Sequence, residues 1–501
     1  MIQTSYSPLY VSALHNRFAH SLGVFHLGNI AAECLKNVVL ERGYLDQSVI
    51  GEYASTYQIA CLLHDIGHAP FSHTGEIYYK DDNFQVTELH KRLCSMFSSD
   101  LFEADLPSES ESAAPHEIMS AIIGIKEFGN IIGDGGNKEL FARCITGYKY
   151  PEGSAENEIR NCFISMLNSK VIDVDRLDYL LRDAYTSGFA TTDIDYIRLL
   201  EALTIIRYNG HYKMAYKKNA VSIIENVVYA HDAERKWIQN HPTVVYEAYL
   251  LKRILENLNT NLNKGKQKLF SEQSLSKTGH KLKGGYRISL MCDDDIIYLA
   301  KNVFPGAISE EFFERKSRRH PVWKSEAEYK AYIGGISTGG EHKDRFMECM
   351  KAFNASNIPE HPVPMIIDDE LIRQFEKELE KSEREENPDS SQIKAIKRKL
   401  NVCRYLSEYV TPRKIPFEFI IIPANMFISN FSKQHLAETL IVFGDNAKVK
   451  KLKEVCNLLK SEFEEKDFYY LFYKRGKKTE ESSGQIDDLS GFCEGLFNSA
   501  L

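Results

Sequence analysis

Residues Leu62–His73 read LLHDIGHAPFSH, placing His64, His68, His73 and Asp65 within ten positions. A neutral imidazole beside a hard carboxylate is an N/O donor pair. It suits Mg, Mn, Fe, Zn or Co better than a thiolate-seeking metal. Adjacent side chains on a helix diverge by about 100°, but near a helix end they can converge on one ion. An isolated His-Asp pair is most simply a structural feature, so its surroundings have to decide. His68 follows His64 by four residues, one turn along the same face. Gly67 leaves room for close approach, and Pro70 is expected to end the helix so that His73 turns back. Upstream, HNRFAHSLG sets Arg17 and His20 at i,i+3. Downstream, IDVDRLDYLLRD sets Asp175, Tyr179 and Asp183 at four-residue intervals, with Arg176 alongside.

The ordered set H-x-R-x-x-H, H-D-x-G-H-x-P-F-S-H, H-E-x-x-S and D-x-D-R-x-D-Y resembles the HD superfamily of metal-dependent phosphohydrolases. Within it, the chain looks like the deoxynucleoside triphosphate triphosphohydrolases, over roughly residues 1–255. The resemblance implies that His20, His64, Asp65 and Asp175 hold a divalent metal. Two imidazoles and two carboxylates leave positions open for phosphate oxygen and water. It also implies that His68, His73 and His116 surround the α-phosphate. His73 would move a proton with Glu76 behind it, where relatives carry aspartate. Arg17, Arg176 and Tyr179 would contact the triphosphate, with arginine at 176 in place of lysine, and Asp183 would lie near the sugar. Glu117 and Asp173 would orient the local helix or the outer shell. His26 and His90 are more simply packed or exposed side chains.

The pattern departs from the family in two places. The chain begins just inside the loop that reads the sugar, with Gln3 standing for the sugar-sensing glutamine, so the regulatory lead is expected to be missing or replaced. In HDAERKWIQNHP, His241 matches a family histidine but Pro242 replaces the lysine after it. His231 and Gln239 stand where an arginine and a tyrosine would grip phosphate and sugar; Arg235 and Lys236 could restore those contacts. The basic segment around Arg315, Lys316, Arg318 and Arg319 resembles one near subunit contacts or regulatory nucleotides, with a solvated basic surface as the equal alternative.

These residues need elements to position them, and the periodicity is mainly helical to about Leu200. Residues 162–188 read as one long amphipathic helix closed by Gly188. A hairpin turning at Asn209-Gly210 is expected next, then a long helix from Ala220 to Asn259. Residues 368–400 read as a solvated helix pair or connector. FEFIIIPA, TLIVFG and DFYYLFYKR read as strands, with NAKVKKLKEVCNLLKSEF as a helix among them. The expected fold class is mainly α, an HD-domain helical bundle with a smaller C-terminal α+β region. The expected regions are a catalytic domain (1–260), an extension for assembly or regulation (261–370), and a charged connector with the α+β region (371–501).

A net charge of −8 gives no global basic footprint, so nucleic acid is not expected as the main partner. Ten cysteines without a Cys-x-x-Cys pair fit reduced thiols. No leader or membrane-length apolar run is evident in the sequence, and a cytoplasmic location is expected. The function expected is hydrolysis of a dNTP to deoxynucleoside and inorganic triphosphate, with a homo-oligomer (dimer, tetramer or hexamer) and a nucleotide effector as further expectations. The alternatives are an HD phosphodiesterase or phosphatase on another nucleotide, and a nucleotide-responsive regulator with weak catalysis.

Overall fold

The structure is a computed structural model. It describes residues 9–79, 86–97, 101–107, 112–189, 193–262, 280–281, 287–288, 291–334, 336, 340–354, 364–384, 389–424, 432–444, 448–456, 468–479 and 482–501. Gln3 lies outside the described residues. The chain forms two compact units that alternate along the sequence. The first comprises 1–238, 254–304 and 429–463; the second comprises 239–253, 305–428 and 464–501.

The first unit is built on helices α1 (Arg17–Glu41), α2 (Gln47–Leu63), α3 (Thr87–Cys94), α4 (Pro115–Ile132), α5 (Gly135–Thr146), α6 (Ala155–Leu167), α7 (Val174–Ser187) and α8 (Val221–Glu234). α1 starts where Asn16 accepts a hydrogen bond from the Ala19 amide at 3.0 Å. It buries His20, Val24, Leu27, Ala31, Leu35 and Val39 at helical spacing, packing on α2 and α7.

The single helix expected over 162–188 is two helices. α6 ends at Leu167 and α7 begins anew at Val174, because the Asp173 carboxylate accepts from the Arg176 amide at 2.8 Å and caps the start. Gly188, at φ 67°, closes α7 as the sequence indicates.

β1 (Leu203–Tyr208) and β2 (His211–Lys217) form the expected hairpin. Asn209 and Gly210 adopt φ of 52° and 89° between the paired Tyr208 and His211. Strand Leu440–Phe443 adds parallel to β2, and Lys448–Lys451 pairs antiparallel with it. The latter lies in the segment read as a helix. Its backbone bonds to a neighbouring strand, and Val449 packs on a small cluster of Ile206, Ala215 and Leu440, which together override helical propensity. Leu452–Val455 of that segment is a short helix, as expected, while 446–447 and 457–463 lie outside the described residues.

The expected helix from Ala220 to Asn259 is also divided. α8 runs into a π-type turn at Arg235–Gln239, and α9 (Pro242–Leu262) starts with Pro242 at its first position. Proline lacks the amide an unbroken helix needs, whereas a helix start leaves that amide unpaired in any case.

In the second unit an antiparallel sheet orders Arg319–Pro321, Tyr469–Lys474, Phe419–Pro423 and Ile366–Ile367. Helices Asp369–Glu383 and Ser390–Val410 form the expected charged pair, but they bury Leu371, Phe375, Ile396 and Leu400 in the unit's core. The basic segment is structural here. Arg315 and Arg318 both bind buried Glu247, while Arg319 binds Glu311 (3.0 Å) and Glu418. Among the described residues no helix is long and apolar enough to cross a membrane.

Candidate metal centre

His20 stands on the buried face of α1. Its Nε2 lies 2.9 Å from Asp175 Oδ1 and 3.6 Å from Asp65 Oδ2. The other ring nitrogen, Nδ1, is bound by Asp178 Oδ2 at 2.7 Å, and Asp178 is held by Arg182 at 2.8 and 2.9 Å. A carboxylate on Nδ1 fixes the tautomer that turns Nε2 to the site. Gly23 makes this possible, since a Cβ there would lie 1.8 Å from Asp178 Oδ1.

α2 ends at Leu63, so His64 and Asp65 occupy the turns beyond it; the helix does not continue to Pro70. Gly67 draws the chain away. Its amide donates to Ser120 Oγ at 2.8 Å, and a Cβ would sit 2.2 Å from the Ser120 amide nitrogen. His64 Nδ1 donates to the Cys61 carbonyl at 2.9 Å. Nε2 then faces Asp65 Oδ1 and Asp175 Oδ1 at 3.5 and 3.6 Å, buried without a hydrogen bond among the described residues.

Burial opposes a charge on His20, but its bonds to Asp175 and Asp178 prevail and raise its pKa to about 10. Against the same burial, Asp65 is held well below the usual carboxylate range, chiefly by Arg17. His20, His64 and Asp65 converge, with Asp175 against both imidazoles and an orphaned imidazole nitrogen among them, and these N/O donors fit a divalent metal.

Beside them Glu76 Oε1 is shared by three imidazoles, at 3.0 Å from His68 Nδ1, 2.7 Å from His73 Nδ1 and 3.0 Å from His116 Nδ1. The His68 and His116 rings stack at 3.8 Å. Burial and then Arg17 lower the His68 pKa to about 3. Burial also opposes a charge on His116, but Glu76 raises its pKa to about 9. A neutral ring therefore lies on a charged one at neutral pH. His68 Nε2 is 3.1 Å from Asp65 Oδ1, joining the two clusters. The side chains of His73 and Asp175 are 58% and 40% exposed, so both clusters are reached from solvent.

The family model that matches this chain is the HD domain, over residues 17–182. Residues 17–182 form an HD domain. The His20–His64–Asp65–Asp175 cluster lies wholly within that span. An uncharacterized protein of Mycoplasma genitalium is 28% identical over 219 residues, 43% of this chain and 42% of the relative. A Dictyostelium discoideum homolog of the deoxynucleoside triphosphate triphosphohydrolase SAMHD1 is 30% identical over 205 residues, covering 40% and 32%. The zebrafish (Danio rerio) SAMHD1 is 25% identical over 253 residues, covering 48% and 38%. The chain thus spans less than half the length of these curated relatives. A solved structure of a hypothetical protein from Aquifex aeolicus, 16% identical, matches with a TM-score of 0.50 over 94% of this chain and 87% of the other. At that identity the likeness speaks to fold alone.

The remaining expected residues of the HD domain are placed as follows. Arg17 donates to Ser72 Oγ at 2.7 Å and contacts Asp65. Arg176 donates to Asp173 Oδ2 at 3.0 Å and to the Val171 carbonyl, and it bonds Tyr179. Asp183 lies against His15 Nε2 at 2.8 Å. Beyond the domain, His231 is buried beside Asp232 at 3.6 Å, while Arg235 sits in the π-type turn. Gln239 and His241 belong to the second unit, where His241 Nδ1 accepts from the Thr243 amide at 3.2 Å.

Sequence reasoning missed the parts played by Asp178, Gly23 and His15. Asp178 stands in the D-x-D-R-x-D-Y motif, three residues after Asp175, so its spacing was the available signal. Ser120, the final residue of H-E-x-x-S, likewise gains its part only from the Gly67 contact.

Proposed function

We propose that this chain is a metal-dependent phosphohydrolase that converts a dNTP to deoxynucleoside and inorganic triphosphate. The observation that carries the reading is the convergence of His20, His64 and Asp65, with Asp175 against both imidazoles, beside the three imidazoles around Glu76. When bound, a divalent metal supplies Lewis-acid polarisation of a phosphoryl oxygen and acidifies water. Asp178 and the Cys61 carbonyl orient His20 and His64 toward it. Charged His116 would stabilise the α-phosphate, and accessible His73 would pass a proton to the departing 5′ oxygen, steadied by Glu76. The resemblance of the motifs to dNTP triphosphohydrolases and the likeness to the SAMHD1 relatives support the substrate class.

A smaller substrate is favoured by one observation. Arg17 and Arg176 both already bind protein groups, which weakens the case for a ready-made triphosphate clamp. The test is product analysis: purified protein is incubated with each dNTP and Mn or Mg. Tripolyphosphate release supports the reading; release of pyrophosphate or single phosphate, or turnover of a phosphodiester alone, refutes it.

A further inference from the structure

A cavity of about 800 Å³ lies in the first unit, outside the histidine clusters. Its size is within the roughly 300–1,000 Å³ of small-molecule sites. Three features define what it accepts. Its wall carries Tyr148, Tyr208, Tyr212 and Tyr216, and Tyr212 is braced edge-on by Tyr44 at 4.7 Å between ring centroids. Tyr208 and Tyr212 are part-exposed rings able to stack on a planar ring, while Tyr148 and Tyr216 are buried behind them in the wall's core. The hydroxyl of Tyr216 is buried without a partner among the described residues.

The charges of the lining are mostly answered within the protein. Lys213 binds Glu152, Lys451 binds Glu438, Asp105 binds Arg143 (2.6 Å), and Glu158 binds His211 (2.7 Å). Lys149 differs. It makes no ion pair among the described residues, and it is exposed on the cavity's wall. An ammonium ion so placed is a waiting partner for an anion.

One wall of the cavity is the 168–172 segment between α6 and α7. The same segment grips the HD domain's working parts. Asn168 donates to Glu117 at 2.8 Å, next to His116. The carbonyls of Ser169 and Val171 accept from Arg176, next to Asp175.

We propose that this cavity is a binding site for a small organic anion carrying an aromatic ring, held by Lys149 and the tyrosines, and that its occupancy is felt at the metal centre through residues 168–173. The proposal stands on the cavity's own residues and needs only that the HD cluster binds a metal, not that dNTPs are its substrate.

The probe is 8-anilinonaphthalene-1-sulfonate, which has rings and an anion and offers no phosphate to hydrolyse. Fluorescence titration of the metal-loaded protein is expected to saturate at one site per chain. Lys149→Met should weaken binding about tenfold, the loss of one charged contact, and Tyr212→Ala should weaken it as well. N-phenyl-1-naphthylamine, the same rings without the sulfonate, should bind far more weakly. Equal binding by Lys149→Met, or by the uncharged analogue, would overturn the site. Mn²⁺ titrated with and without the probe should differ in affinity, and by linkage Mn²⁺ should shift the probe's affinity by the same factor. Probe binding with no shift of Mn²⁺ affinity would overturn the coupling.

Discussion

Both units bury charge, and they do it differently. In the second, Glu247 is shared by two arginines, and Arg319 bridges Glu311 and Glu418 while Tyr246 bonds Glu311. Each carboxylate there is answered by a guanidinium, which cannot give up its proton near neutral pH. At the histidine clusters of the first unit, imidazoles share the carboxylates with arginines such as Arg17 and Arg182, and an imidazole can exchange a proton for a metal. Among the described residues His64 Nε2 makes no hydrogen bond, and Asp175 and His73 are open to solvent. Buried charge closed upon itself holds a fold together. Buried charge left exchangeable and accessible suits chemistry.

The comparison breaks first at the metal ligands. A His64→Ala, Asp65→Ala variant should lose its bound metal by elemental analysis and lower hydrolysis by roughly 10³-fold or more, the several kcal/mol a metal supplies. Retained metal would mean the cluster is only structural. In the second unit, Arg319→Met should cost about 3–5 kcal/mol in denaturant unfolding, because Glu311 and Glu418 lose their partner. Its metal stoichiometry should stay unchanged.

Glu76→Gln should keep the metal and lower kcat by about 10²–10⁴, the range of general acid–base catalysis. An unchanged pH profile of kcat would contradict its hold on the three imidazoles. Asp178→Asn should weaken metal affinity by about 10–100-fold through the His20 tautomer, measured by competitive chelation.

The smallest effect concerns pH. Burial raises the Glu117 carboxyl from its ordinary 4.5 to about 7. Between those values the folded state keeps a proton that the unfolded chain releases, so its contribution to stability falls as pH rises through that window. The thermal midpoint of Glu117→Gln should show a flatter profile from pH 4.5 to 7 than the parent protein, and an identical slope would refute the shift.

Much of the fold was legible where the signal was local. Asn209-Gly210 marked the hairpin because both residues tolerate positive φ, and Gly188 marked a helix end for the same reason. Breaks without such a signal were missed. Asp173 divides α6 from α7 by capping, although the apolar periodicity runs straight through it. Pro242 could have warned of the split between α8 and α9, but the periodicity on both sides masked it. Lys448–Lys451 became a strand only because Leu440–Phe443 offers it a backbone edge. The basic segment at 315–319 read equally as an assembly or nucleotide segment and as a solvated surface, because its acidic partners Glu247 and Glu418 lie far off in the sequence.

The sequence by itself determined the donor types and their order, His20, then His64-Asp65, then Asp175, because ligand chemistry belongs to side chains and the motifs preserve their spacing. Tertiary structure decided which atoms meet. It put Asp178 behind His20 through the gap at Gly23, gathered three histidines on one oxygen of Glu76, and tied Arg17 and Arg176 to the protein itself. The reason is physical. Spacing along a chain fixes neighbours within a turn or two, while contacts across 50 to 150 residues depend on how helices pack, and no single segment carries that information.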